Sequence, residues 1–176
     1  MYAVIVKRYK LQKREEIIIV LKISKNTSLN LSIVISILFM ALCVAGLFIM
    51  PSLTKLLIET EDNIGNGSAI PQGGRTFILV LSYLVLAVFM LADALLFMIL
   101  KRVKSGKVFT AETVSLIRGV SYCCFLVGLL FALLGIYFQL AFIVAFMAAF
   151  LGICLRVVKN VIEEATEIKA ENELTV

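Results

Sequence analysis

A chain of 176 residues that is 61% hydrophobic and 16% charged departs from soluble domains, which run about 45–50% apolar and about 25% charged, and one small core cannot hide the excess. A soluble globular protein is therefore excluded, and the lack of any histidine removes the commonest metal ligand and the commonest general base at neutral pH. The formal net charge of +5 says less than its distribution, because the apolar residues fall into runs of about 20, the length that crosses a hydrocarbon core of about 30 Å.

Residues 1–30 carry seven basic side chains against two acidic ones and read as a basic, irregular, poorly ordered leader. Its Ile17–Leu21 run is too short to span. Lys7, Arg8, Lys10, Lys13 and Arg14 also suit it to lying beneath anionic headgroups. Residues 31–50 form the first expected span. Its apolar centre is longer than that of a signal peptide, and Met50, Pro51, Ser52 and Leu53 make no small-x-small cleavage site, so it reads as a retained anchor. Pro51 is expected to break the helix or to start a fresh one, with Leu53, Leu56 and Leu57 resting in the outer interface. Glu61 to Arg75, rich in glycine and proline, reads as the exposed loop. Its Asn66-Gly67-Ser68 is a weak glycosylation match.

Residues 77–100 are the second span. Asp93 lies within it, eight residues before Lys101 and so about 12 Å from the boundary at 1.5 Å per residue. A charged side chain at such depth is costly and is held by a partner or by a function. The bland reading is a carboxyl hydrogen-bonded between helices, with Tyr122, Ser121 or Ser36 as partners at similar depth. A proton or ion relay is the sharper reading, disfavoured because one lone acid makes no pathway.

Residues 101–119 form a basic loop carrying Lys101, Arg102, Lys104, Lys107 and Arg118 against Glu112. Gly106 permits the turn, and Thr110 has the chemistry of an N-cap. Phe109 and Val114 have the spacing of a hydrophobic staple, and Glu112 suits a first turn. A helix is expected from Ala111. The loop is either a connector or a partner-binding element. Spans three and four follow at 120–138 and 140–158, leaving Tyr137, Phe138 and Gln139 as a tight turn that Gln139 caps. Gly128 and Ala132, Ala141, Ala145 and Ala149, and Ser32 and Ser36 have the four-residue spacing that lets membrane helices approach closely.

Cys43, Cys123, Cys124 and Cys154 all sit in apolar runs without a C-x-x-C pair, and the adjacent Cys123 and Cys124 read as packing rather than as a palmitoylation site. Residues 159–176 read as an acidic tail helix. Val158, Val161, Ile162, Ala165 and Ile168 recur at helical spacing, beside Glu163, Glu164, Glu167, Glu171 and Glu173.

Residues 51–76 hold two basic and three acidic side chains, and the central loop five and one. That alternation places the leader, the central loop and the tail on the cytoplasmic side. The fold expected is an all-α four-helix transmembrane bundle with both termini cytoplasmic, organised as leader 1–30, membrane domain 31–158 and tail 159–176. The basic surplus speaks of topology, so direct nucleic-acid binding is not expected.

Met50-Pro51, Gly106-Lys107-Val108-Phe109 with Glu112 to Arg118 after it, and the ending Glu171-Asn172-Glu173-Leu174-Thr175-Val176 resemble the membrane protein family catalogued as domain of unknown function 2975. The resemblance covers roughly residues 25–176. Residues 1–24 fall outside it, as an added leader or an upstream start would. It implies a four-helix bacterial membrane protein of unassigned activity, expected beside a small helix-turn-helix regulator, and it brings no catalytic residues.

The residues leave three function classes. The favoured one is an interaction or regulatory protein in a bacterial cell (inner) membrane. It would engage a cytoplasmic partner, such as a helix-turn-helix transcription regulator, through Lys101, Arg102, Lys104, Lys107, Arg118 and the tail glutamates. The alternative is a small transporter or peptide-immunity protein. An enzyme is not expected, since no nucleophile and base pair stands out. No cofactor and no metal site is expected either. The partners expected are the lipid bilayer, the regulator, and a second copy of the chain.

Overall fold

The computed structural model describes the backbone of residues 2–64 and 70–174, and the side chains of residues 27–61, 63 and 70–172. Four helices make up the described chain: α1 (Tyr2–Ile64), α2 (Gln72–Lys104), α3 (Ala111–Leu134) and α4 (Gln139–Leu174). Each is long and apolar enough to cross a membrane. Large apolar side chains point outward along them, Phe48 at 82% exposure and Leu140 at 74%. In water each such side chain would forgo about 1.5–3 kcal/mol of burial. Hydrocarbon is the matching solvent, and the protein is a multi-pass membrane protein.

The helices differ from expectation at several ends. Residues from Tyr2 onward are helical and continuous with the first span, not irregular. No glycine or proline occurs before Gly46, and Lys, Arg, Glu and Leu are good helix formers. Nor does Pro51 break α1. A proline inside a helix has no N–H for the carbonyl four residues back, here Leu47. The Tyr83 hydroxyl of α2 donates to that carbonyl at 3.2 Å, which is how a neighbouring helix makes proline tolerable within a membrane. The helix therefore continues to Ile64, taking in part of the stretch expected as loop. Asn66-Gly67-Ser68 lies outside the described residues.

At the other end of the molecule the local chemistry behaves as expected. Lys101, Arg102 and Lys104 fill the last turn of α2, where cations complement the helix dipole. Gly106 takes φ 74°. The Lys107 N–H donates to Arg102 O and the Gly106 N–H to Val103 O, both at 3.1 Å, the paired bonds of a Schellman ending. Thr110 caps α3, its Oγ1 accepting from the Thr113 N–H at 3.3 Å. Thr113 in turn donates to Lys107 O at 3.1 Å, and an Arg102–Glu112 ion pair ties the two helix ends together.

The α3–α4 turn starts earlier than expected. α3 stops at Leu134 rather than at 138, and Gln139 opens α4 instead of capping the turn. The Ile136 and Tyr137 N–H groups reach back three residues, to Leu133 and Leu134. Tyr137 leaves the helix to lie on Gly74 and beside Phe77, with ring centroids 6.3 Å apart.

Packing follows chain order. Among the described residues the backbones of α1 and α2, of α2 and α3 and of α3 and α4 approach closely, and those of other helix pairs do not. The core lies toward the hairpin end, where Ile58, Ile78, Leu81, Val85, Leu130, Leu134 and Ala141 cluster. The α3–α4 seam is the closest. Gly128 faces the backbone of Ala145 and Ala149, and the Ser121 hydroxyl donates to Gly152 O at 2.8 Å. Of the serines on α1, Ser36 is buried against α2, whereas Ser32 donates to Ser28 O of its own helix at 3.1 Å.

Candidate functional site

Two regions hold polar side chains in unusual settings. The first is the basic end, built by the last turn of α2, the first turns of α3 and the polar extension of α4. Because α4 packs on α3 and not on α2, the tail meets the loop region only along α3. One pair from the two expected sets comes together: the Arg118 guanidinium lies 3.4 Å from Glu163. The same carboxylate bonds Lys159, one helical turn before it. Hydrogen bonding from Lys159, joined by the charges of Lys159 and Arg118, lowers the Glu163 pKa below its ordinary value of 4.5 against an opposing desolvation.

The remaining expected residues are spread out. Lys101, Lys104 and Lys107 are exposed, and among the described residues no ion pair joins them to the tail. Lys101 and Lys107, with Arg102, border a shallow cleft of about 920 Å³ between α2 and α3. Glu164, Glu167 and Glu171 are exposed, and the side chain of Glu173 lies outside the described residues. The tail's apolar stripe is open, with Val161 and Ile168 exposed.

Sequence reasoning missed Arg156 and Lys159. With Arg118, Ser121 and Tyr122 they line a pocket of about 230 Å³ between α3 and α4. Their three-residue spacing places both on one face of α4. That spacing was visible, but it looks the same as an ordinary charged flank until α3 is known to pack there.

The second region is Asp93, 5% exposed. Of its three expected partners the structure selects Ser36, whose hydroxyl donates to Oδ1 at 2.8 Å. Ser121 is spent on Gly152 O, and Tyr122 stands exposed on α3. Asp93 Oδ2 is buried without a hydrogen-bond partner. It borders a cleft of about 380 Å³ between α1 and α2, lined by Ile37, Met40, Val44 and Phe97. An unmatched buried carboxyl oxygen is expensive and so marks a place to look for function.

Cys43 and Cys123 are buried, Cys124 half-buried and Cys154 exposed, all as free thiols. Among the described residues no three His, Cys, Asp or Glu side chains gather as a metal-ligand set.

The profile of the family described as Protein of unknown function (DUF2975) matches residues 29–176. No curated protein and no solved structure matches the chain.

Proposed function

The chain belongs to the DUF2975 family of proteins of unknown function, and we propose that it acts by interaction, as a membrane-held element that offers its tail helix to a cytoplasmic partner. The observation that carries this reading is the Arg118–Glu163 contact, which joins the basic segment to the acidic helix. Exposed ion pairs are weak, so a clasp of this kind opens readily. The partner that fits has an apolar groove for Val161 and Ile168 and cations for Glu164 and Glu167. A helix-turn-helix regulator is the class we favour, in a bacterial cell membrane, with the protein acting without catalysis of its own.

This reading requires the basic end to face the cytoplasm, as the distribution of Lys and Arg suggests. Single cysteines at Gln72 and Ser105, in a background freed of Cys43, Cys123, Cys124 and Cys154, are expected to react with an impermeant thiol reagent from opposite faces of sealed vesicles. Reaction of both from the same face rules the topology out.

For the tail, a pull-down from native membranes with the intact chain and with residues 163–176 deleted is expected to lose a DNA-binding partner on deletion. Capture that survives deletion removes the reading. Cysteines at Ser115 and Thr166, one turn beyond the ion pair on each helix, are expected to cross-link more slowly in high salt, because exposed charges are screened within about 8 Å at physiological ionic strength. The sign with pH follows from Glu163. Its pKa is depressed in the folded state, so its contribution is complete above 4.5 and fades as pH falls through the lower folded value. Divided by the rate of a control cysteine pair away from the ion pair, which removes the pH dependence of thiolate formation, the cross-linking rate is therefore flat between about pH 6 and 8 and drops in acid.

A second reading, a small transporter or peptide-immunity protein, is favoured by one feature, the unmatched Asp93 Oδ2 at the α1–α2 cleft. It predicts altered solute or peptide sensitivity in a strain lacking the gene, with no partner captured by the tail.

A further inference from the structure

We propose that the pocket between α3 and α4 at the basic end binds a phosphate group, held by Arg118, Arg156 and Lys159. These three cations line one pocket. The carboxylate that reaches them is Glu163, which contacts Arg118 and Lys159. Three positive charges against one negative leave two in surplus, and Arg156 makes no ion pair among the described residues. Grouping cations this closely is unfavourable unless an anion joins them. Arginine forks match phosphate oxygens two at a time, and the lysine adds a point charge. The volume of about 230 Å³ accommodates a phosphate group, given that each water takes only about 30 Å³.

Depth selects the same chemistry. The pocket floor is Ser121, locked to Gly152 O across the tight seam, and Arg156 is the first charged residue after the apolar run of α4. The pocket therefore sits where hydrocarbon gives way to headgroups, and Tyr122, half exposed on its wall, has the amphipathic character common at that level. Basic pockets between membrane helices hold anionic headgroups on this principle.

Glu163 is then an internal competitor. A phosphate that takes Arg118 and Lys159 displaces the carboxylate and loosens the tail helix. Phosphate binding does not depend on the tail having a partner. Only this consequence rests on the interaction reading.

The test uses the purified full chain in nanodiscs of phosphatidylcholine, with and without phosphatidylglycerol, with bound lipid counted by native mass spectrometry. The phosphatidylcholine discs are also titrated with inorganic phosphate. Retention of phosphatidylglycerol is expected to fall about fivefold in Arg156→Gln, the effect of one cation near a charged headgroup. It is expected to rise about two- to fivefold in Glu163→Gln, where the competitor is gone. The rise cannot come from a misfolded variant. Selective lipid retention assigns the phosphate to a headgroup, whereas saturable inorganic phosphate binding lost in Arg156→Gln assigns it to a free ion. If neither species binds, or if Arg156→Gln and Glu163→Gln leave binding unchanged, the site is overturned. The 163–176 deletion reads out partner capture separately, so either idea can fall alone.

Discussion

Gly128→Leu is expected to destabilise the protein by about 1–3 kcal/mol, the usual cost of forcing extra atoms into a filled contact. A Cβ at this position would lie 3.2 Å from Ala145 O and 3.4 Å from Ala149 N. Both are backbone atoms of α4, so no rotamer change relieves the clash and the two helices must move apart. Other glycines differ in kind. At Gly119 the nearest atom is Leu95 Cδ1, at 3.0 Å, and a flexible side chain can swing aside. Gly73 has nothing within 4 Å. Gly73→Leu is thus the internal control, expected within about 0.5 kcal/mol of the parent. Unfolding in detergent or by steric trapping in bicelles measures both. Because lipid supplies no hydrophobic drive between helices, α3 and α4 depend on this close approach and on Ser121 bonding Gly152 O. Equal stability of the two variants would mean that the seam is not close-packed.

What the sequence made legible was local chemistry. The ending at Gly106 and the cap at Thr110 depend on a few neighbouring residues, and both stand where expected. The spans are legible because apolar length answers to bilayer thickness. Pro51 was misread because its outcome is decided elsewhere: Tyr83, 32 positions away in the chain, satisfies the carbonyl that the proline strands. Helix periodicity put Ser36, Ser121 and Tyr122 at Asp93's depth. Choosing among them needs each helix's rotation about its axis, which periodicity alone does not give. Among the described residues the loop cations and the tail glutamates meet only at Arg118–Glu163, for a similar reason. Opposite charges say nothing of neighbour order, and with α4 against α3 alone the lysines at the end of α2 are beyond the tail's path.

Asp93→Leu is expected to cost more stability than Asp93→Asn, and the difference separates two roles of the carboxyl. An amide keeps an acceptor for the Ser36 hydroxyl, now bonded at 2.8 Å, whereas leucine removes it. Interhelical bonds of this type average about 0.6 kcal/mol and reach about 1.7 kcal/mol at most. A double-mutant cycle with Ser36→Ala should return a coupling in that range for Leu and close to none for Asn. Against this, leucine also eliminates Oδ2, which the fold buries without a partner at a cost typical of unmatched polar atoms, about 1–3 kcal/mol. If leucine proves neutral or stabilising, the carboxyl is retained against stability and its second oxygen has a use. Phenotype then decides which use. Asp93→Asn that accumulates fully in the membrane yet loses the gene's phenotype points to a proton or cation, which an amide cannot carry, and moves the functional centre from the basic end to the α1–α2 cleft. Full phenotype with Asn, and loss of stability only with Leu, leaves Asp93 as the bond that holds α1 against α2.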